Sequence, residues 1–244
     1  MRSFIPSALI ILLFVSSVVG QDPLKVAPEA YHLEFENDWV RVVRVHYGPR
    51  ARIPVHNHPR WGTAYVYLND APEVIFKHVG SHLGTITRPP TKAGGFRLYK
   101  AVREVHEVEN SGDTPSDFLR VELKTKPTGE STFSGRYFRE DTSNENYQKV
   151  QFENEQVRIT RIVCAGGQTL KLQSDSRRPS LLVSLTSGRL SVIDVKGSST
   201  NLEIQPGQTK WFRREQPQSL TNLVSSRAEF LRFDFKTSPR RTQR

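Results

Sequence analysis

The chain has 244 residues, a formal net charge of +10 and one cysteine, Cys164. A single cysteine excludes an intramolecular disulfide and the paired-cysteine zinc motifs, and its apolar neighbours favour a core position over a reactive thiol. The basic residues are scattered. On the predicted strands they alternate with apolar residues, which indicates solvated sheet faces rather than a binding stripe. This pattern includes Arg41, Arg44, Arg97, Arg120, Arg158, Arg161 and Arg232.

The N-terminus has the pattern of a secretory signal peptide over residues 1–20. It has one positive charge, at Arg2, then an apolar run that ends at Val19, and a small residue at Gly20. The run is shorter than the roughly 20 residues needed to cross a bilayer, so we expect cleavage before Gln21 and no transmembrane span afterwards. An uncleaved anchor is the alternative. The sequence thus predicts an exported protein, periplasmic or secreted, with no nucleic-acid partner and with a basic surface suited to anionic ligands.

Short β-branched or aromatic runs dominate the chain after residue 30, and no long helical periodicity is visible. Examples are Val40–Val45, Ala64–Leu68 and Leu119–Leu123, which are bounded by turn-forming residues. Many short strands without intervening helices predict an all-β protein with closed or sandwiched antiparallel sheets, such as jelly rolls.

The chain contains an internal repeat. The sequence from Phe35 matches that from Phe152 at an offset of 117, and Gly94–Asn110 matches Pro206–Asn222 at an offset of 112. Two copies of about 100 residues fit the usual domain size. The predicted organisation is a first barrel over 28–127, a linker over 128–146, a second barrel over 147–238 and a basic tail over 239–244.

Aromatic residues in the linker and in the second copy are expected to be structural. A free linker has little use for aromatic rings, so its three are expected to pin it onto a barrel, and three more are expected to fill the second core. The linker residues are Phe133, Tyr137 and Phe138, and the core residues are Trp211, Phe212 and Phe230.

The two copies differ in histidine content, because all seven histidines lie in the first 106 residues. His56 and His58 are one residue apart, which points both imidazoles to one face of a strand, and His106 lies on a later strand. Three such imidazoles form a cap for a divalent metal that leaves coordination positions open. The second copy has Gln173, Asp175 and Gln218 instead, which predicts a barrel without the site.

These segments resemble the two motifs of the cupin family. Gly48 to His58 is similar to the first motif, and Gly95 to Asn110, with His106, is similar to the second. The resemblance covers both copies and implies a bicupin, that is, two tandem jelly-roll β-barrels with a degenerate second barrel. It implies a metal site of His56, His58 and His106, and iron, manganese, zinc and nickel all accept such a set.

One position departs from the cupin pattern. Cupins usually add a glutamate shortly after the histidine pair, where this chain has Gly62 and Thr63. The loss of a carboxylate makes the site more positive and leaves another position open, which favours an anionic or bidentate ligand.

Three functions remain open at this point. The first is binding of a divalent metal and a small organic ligand, and the second is a metal-dependent enzyme such as an iron dioxygenase or an isomerase. Glu104, Glu107 and Tyr65 are the candidates for proton transfer. The third is a structural or interaction protein, whose second barrel braces the first or supplies a homodimer face. His78 and His82 are expected at the surface, as a rim or lid over the metal at most.

Overall fold

A computed structural model of the protein describes residues 21–80, 83–127, 133–139, 145–173, 178–213 and 217–240. The predicted signal peptide lies outside the described residues. The described residues form nineteen strands and one short helix, α1 (Pro23–Val26), which confirms the all-β prediction. Within these ranges no helix is long and apolar enough to cross a membrane.

The first barrel consists of two facing antiparallel sheets. Its strands are β1 (Tyr31–Glu36), β2 (Val40–Tyr47), β3 (Arg52–His58), β4 (Gly62–Tyr67), β5 (Val74–His78), β6 (Thr85–Arg88), β7 (Phe96–Tyr99), β8 (Glu104–Asn110), β9 (Ser116–Leu123) and β10 (Gly135–Tyr137). The large sheet has the order β1-β2-β9-β4-β7-β10, and the small sheet has the order β3-β8-β5-β6.

The second barrel repeats this plan. Its strands are β11 (Tyr147–Glu153), β12 (Val157–Cys164), β13 (Thr169–Lys171), β14 (Ser180–Ser184), β15 (Gly188–Ile193), β16 (Ser199–Ile204), β17 (Thr209–Phe212), β18 (Ser219–Asn222) and β19 (Ala228–Phe235). The large sheet has the order β11-β12-β19-β14-β17, and the small sheet has the order β13-β18-β15-β16.

Each barrel has an apolar interior between its two sheets, and a third apolar cluster lies between the barrels. Phe118 and Phe76 belong to the first interior, and Phe230 and Leu220 belong to the second. The two large sheets meet in the third cluster. There β9 contributes Leu119, Val121 and Leu123, and β19 contributes Leu231, Phe233 and Phe235. Because successive side chains point to opposite faces, each large sheet is buried on both sides.

The expectation of solvated arginine faces is wrong for four of the seven arginines. Arg41, Arg120, Arg161 and Arg232 are at most 6% exposed. A sheet that is covered by its own barrel on one face and by the sister barrel on the other has no solvated face. The buried charges are instead paired. Arg120 donates to Glu122 at 3.0 Å, Arg232 to Asp234 at 3.1 Å, and Arg161 to Glu229 at 2.5 Å.

The described part of the linker region lies against the first barrel. Strand β10 pairs with β7, and Tyr137 stacks on Phe96 with 4.6 Å between the ring centroids. Phe133 is buried in the cluster between the barrels. Phe138 is 66% exposed, so it does not attach the linker to a barrel as expected. Two of the three linker aromatics therefore attach the chain to a barrel.

The repeat contains a one-residue slip that the sequence comparison missed. Leu98 pairs with Ala64, and Trp211 pairs with Leu181, so β7 and β17 are offset by 113 residues rather than 112. A slip of one residue moves a side chain to the other face of a strand. Trp211 therefore does not fill the second interior but lies between the barrels, 6.4 Å from Trp39 by ring centroids.

Candidate metal centre in the first barrel

Two neighbouring strands bring the three predicted histidines together. In the antiparallel pair of β3 and β8, His56 lies opposite His106, and His58 lies opposite Glu104. Residues two apart on a strand face the same side, so all four side chains point into the first barrel. The histidines are at most 4% exposed.

The nitrogen atoms are spaced as a single ion requires. His56 Nε2 lies 3.1 Å from His58 Nε2, and one ligand nitrogen from each of the three histidines lies within 4.8 Å of the others. Two nitrogens that bind one metal at about 2.1 Å and at right angles are about 3 Å apart. The three side chains therefore fit a facial set of ligands, with His106 needing the largest adjustment.

A backbone hydrogen bond fixes the tautomer of His56. Its Nδ1 lies 2.8 Å from the carbonyl oxygen of Pro54, which can only accept a hydrogen bond. Nδ1 therefore carries the proton of the neutral ring, and the lone pair of Nε2 points into the site. Such an outer hydrogen bond is the usual way in which proteins orient a metal-binding histidine.

His106 lacks the polar contacts that a buried imidazole normally has. Both of its ring nitrogens are buried and make no hydrogen bond to any described residue. Its ring instead lies between those of His56 and Phe76, with centroid distances of 4.8 Å and 5.2 Å. Buried polar atoms without partners are uncommon and costly, and a metal ion would satisfy one of these nitrogens.

Burial keeps the three imidazoles neutral. It lowers the pKa of His56 to about 4, and it lowers the pKa of His58 and His106 well below the usual value, with Arg120 and the neighbouring histidines acting in the same direction on those two. A metal binds the neutral form of histidine, so the site needs no deprotonation at neutral pH.

Two tyrosines that the sequence analysis missed extend this network. Tyr31 Oη lies 2.9 Å from His56 Nε2 and 2.6 Å from Tyr47 Oη. Burial raises the pKa of Tyr31 well above its usual value and that of Tyr47 to about 12, so both stay protonated. A signal was present in the repeat, because the pairing register aligns Tyr31 with Gln148 and Tyr47 with Cys164.

A carboxylate does reach the site, but from another strand. Gly62 faces the sister barrel, where an added Cβ would lie 3.2 Å from the Phe133 ring, and the inward-facing Thr63 has no carboxylate. The nearby carboxylate is that of Glu104 on β8, whose oxygen groups with the nitrogens of His78 and His106 rather than with those of His56 and His58. Its buried Oε1 makes no hydrogen bond to the described part of the chain.

His78 is half-buried beside this centre and does not lie in an exposed loop, which was the default expectation. It ends β5 opposite His106, and the two ring centroids are 5.3 Å apart. With His106 and Glu104 it forms a second group whose ligand atoms lie within 4.8 Å of one another. His82 lies outside the described residues, and Glu107 points away from the site and pairs with Lys77 at 3.0 Å.

Three arginines surround the ring of Tyr65 beside this centre. The guanidinium carbons of Arg88, Arg97 and Arg120 lie 5.0, 4.8 and 5.0 Å from the ring centroid. Arg120 donates to Tyr65 Oη at 3.0 Å. Arg88 lies 3.8 Å from Glu104, and no carboxylate of the described residues lies within 4 Å of Arg97. Positive charge is therefore in excess here.

The second barrel does not form an equivalent centre in its described part. Gln173 and Gln218 are exposed, and Asp175 lies outside the described residues. Both candidate metal groups found among the described residues belong to the first barrel.

Comparisons with known proteins identify the fold. No protein-family model matches the chain, and no curated protein matches it. Solved structures do match, among them YhaK from Escherichia coli, with a TM-score of 0.55, 14% identity and coverage of 88% of this chain and 97% of that one. The salicylate 1,2-dioxygenase from Pseudaminobacter salicylatoxidans has a TM-score of 0.55 and 11% identity, with coverage of 87% and 78%. Oxalate decarboxylase from Bacillus subtilis also has a TM-score of 0.55 and 11% identity, with coverage of 87% and 76%.

These neighbours are cupin proteins. The chain has the bicupin fold. In this chain, His56, His58 and His106 lie on the two strands that carry the cupin-like motifs. At 11–14% identity the likeness establishes the fold alone.

Proposed function

We propose that this protein is an exported bicupin that binds a divalent metal ion in its first barrel and a small anionic organic ligand beside it. The observation that carries the proposal is the convergence of the His56, His58 and His106 nitrogens inside the first barrel, where all three residues are buried. Export is supported by the signal-like pattern of residues 1–20.

The chain's own groups suit a metal in three ways. The imidazoles are neutral, the His56 lone pair is oriented by Pro54, and the His106 nitrogens have no described partner. Nitrogen donors of this kind accept iron, manganese, zinc or nickel. A bound metal would act as a Lewis acid on a ligand oxygen.

An anionic ligand is supported by the arginines beside the centre. A cavity of about 260 Å³ is lined by two of the arginines around Tyr65, Arg88 and Arg97, and its lining also includes Lys92 and Arg136. Lys92 is paired with Asp70 at 2.6 Å. Buried N–H groups of Arg88 and Arg97 make no hydrogen bond to the described residues, so a carboxylate would supply acceptors that the chain lacks.

Metal content tests the first part of the proposal. Protein purified from its native compartment is analysed for metals as wild type and as the His56→Gln/His58→Gln variant. We expect loss of the metal in this variant and its retention in His46→Gln, which changes a half-exposed histidine paired with Asp117. Equal metal content in all three proteins would contradict the proposal and favour a structural role. N-terminal sequencing of the same material tests cleavage before Gln21.

Ligand charge tests the second part. Benzoate should raise the melting temperature of the metal-loaded protein more than the uncharged benzamide does, because only benzoate offers a carboxylate to the arginines. Arg97→Gln should abolish the difference, while Arg189→Gln, an exposed arginine of the second barrel, should preserve it. Equal shifts from both compounds would rule out an anion-selective pocket.

A metal-dependent enzyme is the second candidate. Two of the fold neighbours are named salicylate 1,2-dioxygenase and oxalate decarboxylase, the latter with Mn(II) centres. In this chain Tyr31 is placed to hold a proton on its hydroxyl oxygen next to His56, and Arg120 orients the hydroxyl of Tyr65. Oxygen uptake by iron-loaded protein with salicylate, gentisate, catechol and simple thiols tests the dioxygenase. Uptake no faster than that of the His56→Gln/His58→Gln variant would exclude it for these substrates.

A further inference from the structure

The second barrel contains a cavity. The absence of the three histidines from this barrel does not account for the cavity. The cavity has a volume of about 280 Å³, and its lining is mainly apolar. Leu190, Ile204, Leu220 and Phe230 are buried in its wall, and half-buried side chains such as Phe212 complete that wall. The exposed lining residues are polar and mark the mouth, namely Thr200, Glu203, Gln208 and Lys210.

The inner part of the same space is filled in the first barrel, whose cavity on Arg88 and Arg97 does not reach Phe76 or Phe118. The strand registers place Leu182 where the first barrel has Tyr65, since these residues pair with Arg232 and Arg120. In the same way Leu202, which pairs with Leu190, stands where the first barrel has Arg88, which pairs with Val74.

These replacements remove both bulk and charge. In the first barrel the Arg88 guanidinium covers the Phe76 ring at 3.8 Å, and a cavity of only about 20 Å³ remains beside Tyr65 and Phe76. Two leucines at these positions leave an open cavity with an apolar wall. Beside the residues equivalent to Tyr65 and Phe76, the second barrel therefore has an open apolar cavity where the first barrel has charged side chains and little open volume.

The lining indicates the chemistry of an occupant. Leu182, Val192 and Leu202 present apolar surface that is half-buried without a ligand, and covering such surface is favourable. The charged lining groups are Glu203 and Lys210, which are exposed at the mouth, and the half-buried Asp194, whose Oδ1 accepts from the backbone N–H groups of Lys196 and Ser198. The described lining therefore holds no unpaired buried charge that would select a charged molecule. The volume is near the lower end of the range for small-molecule sites, which suits a single ring with short substituents.

We propose that the second barrel binds a small uncharged apolar molecule, of the size of a substituted benzene ring, in this cavity. The site is independent of the metal centre. It gives the barrel without histidines a binding role of its own, in addition to bracing the first barrel.

The test uses 4-fluorotoluene as a probe of the full-length protein, followed by ¹⁹F NMR and by the methyl signals of the protein. We expect saturable binding that shifts the methyl signals of Leu190, Leu202 and Ile204 and leaves those of Val74 and Val108 in the first barrel unchanged. The absence of saturable binding, or shifts confined to the first barrel, would overturn the proposal.

Variants test the position of the binding site independently of the methyl shifts. Leu202→Phe, on β16 at the edge of the small sheet, should fill the cavity and weaken binding at least tenfold. The matched control is Leu223→Phe, which makes the same change at a residue that is 39% exposed and outside the cavity. The His56→Gln/His58→Gln variant should bind the probe as wild type does, even though it loses the metal. Unchanged binding in a folded Leu202→Phe protein would overturn the proposal, and the wild-type methyl shifts decide the matter if that variant does not fold.

Discussion

Replacing Glu229 by glutamine should destabilise the contact between the two barrels. Arg161 is fully buried and donates to Glu229 at 2.5 Å and, across the interface, to the Gly94 carbonyl at 2.8 Å. Glu229→Gln leaves this guanidinium without its carboxylate partner, and breaking a buried pair in this way costs about 3–5 kcal/mol. Arg161→Met should cost less, about 2 kcal/mol, because Arg139 still donates to Glu229 at 2.7 Å.

Urea unfolding followed by tryptophan fluorescence measures these differences. The matched control is Glu153→Gln, which removes a carboxylate from an exposed pair with Arg158 and should cost less than about 1 kcal/mol. The double variant Arg161→Met/Glu229→Gln should lose less stability than the sum of the single variants, because the central charge pair is removed as a unit. Equal unfolding free energies for Glu229→Gln and Glu153→Gln would refute the reasoning.

Three further predictions concern other parts of the molecule. Gly207 and Gly197 both have φ of 81°, but only a Cβ at Gly207 would meet the first barrel, at 2.6 Å from Arg44 Nη2. Gly197→Ala should therefore cost about 1 kcal/mol and Gly207→Ala about 1–2 kcal/mol in urea unfolding, since the ends of the Arg44 and Leu68 side chains must move aside. A smaller cost for Gly207→Ala than for Gly197→Ala would contradict the close approach. Tyr31→Phe should destabilise the metal-free protein by about 1–2 kcal/mol, because the hydroxyl contacts to His56 and Tyr47 are lost. The variant should keep the wild-type metal stoichiometry, which metal analysis checks. Loss of the metal would show that Tyr31 is a ligand. Burial raises the pKa of the Cys164 thiol, so the thiol should not react with 5,5′-dithiobis(2-nitrobenzoate) at about pH 8 until the protein is unfolded, and fast reaction of the native protein would show an accessible thiolate.

The sequence was sufficient to predict a fold built of short strands and to predict that the three histidines lie close together. The period of two places His56 and His58 on one face, and the repeat shows which residues only one copy has. The all-β fold followed from short strand-like runs without helical periodicity, and the solved structures with this architecture confirm it.

The sequence was insufficient to predict which face of a strand is buried, or which residues pair across strands, where these depend on a neighbouring sheet. An arginine that alternates with valine looks the same on a solvated strand and on a doubly covered one, so the burial of Arg120 and Arg161 was not foreseen. The position of His78 depends on the pairing of β5 with β8, which local sequence does not specify. Trp211 was placed on the wrong face because one residue is missing in a turn of the second copy.

Each large sheet is buried on both sides. Along one of its strands, residues that face the sister barrel therefore alternate with residues that face the barrel's own interior. In the cluster between the barrels, the residues of the two central strands β9 and β19 are apolar in both copies, as in Val121 and Phe233. Residues that alternate with such interface positions face the barrel interior, where the first copy has Tyr65 and the second has Leu182 at the equivalent position. Two joined barrels of this kind can therefore differ in the side chains of their interiors while the surface that joins them stays the same.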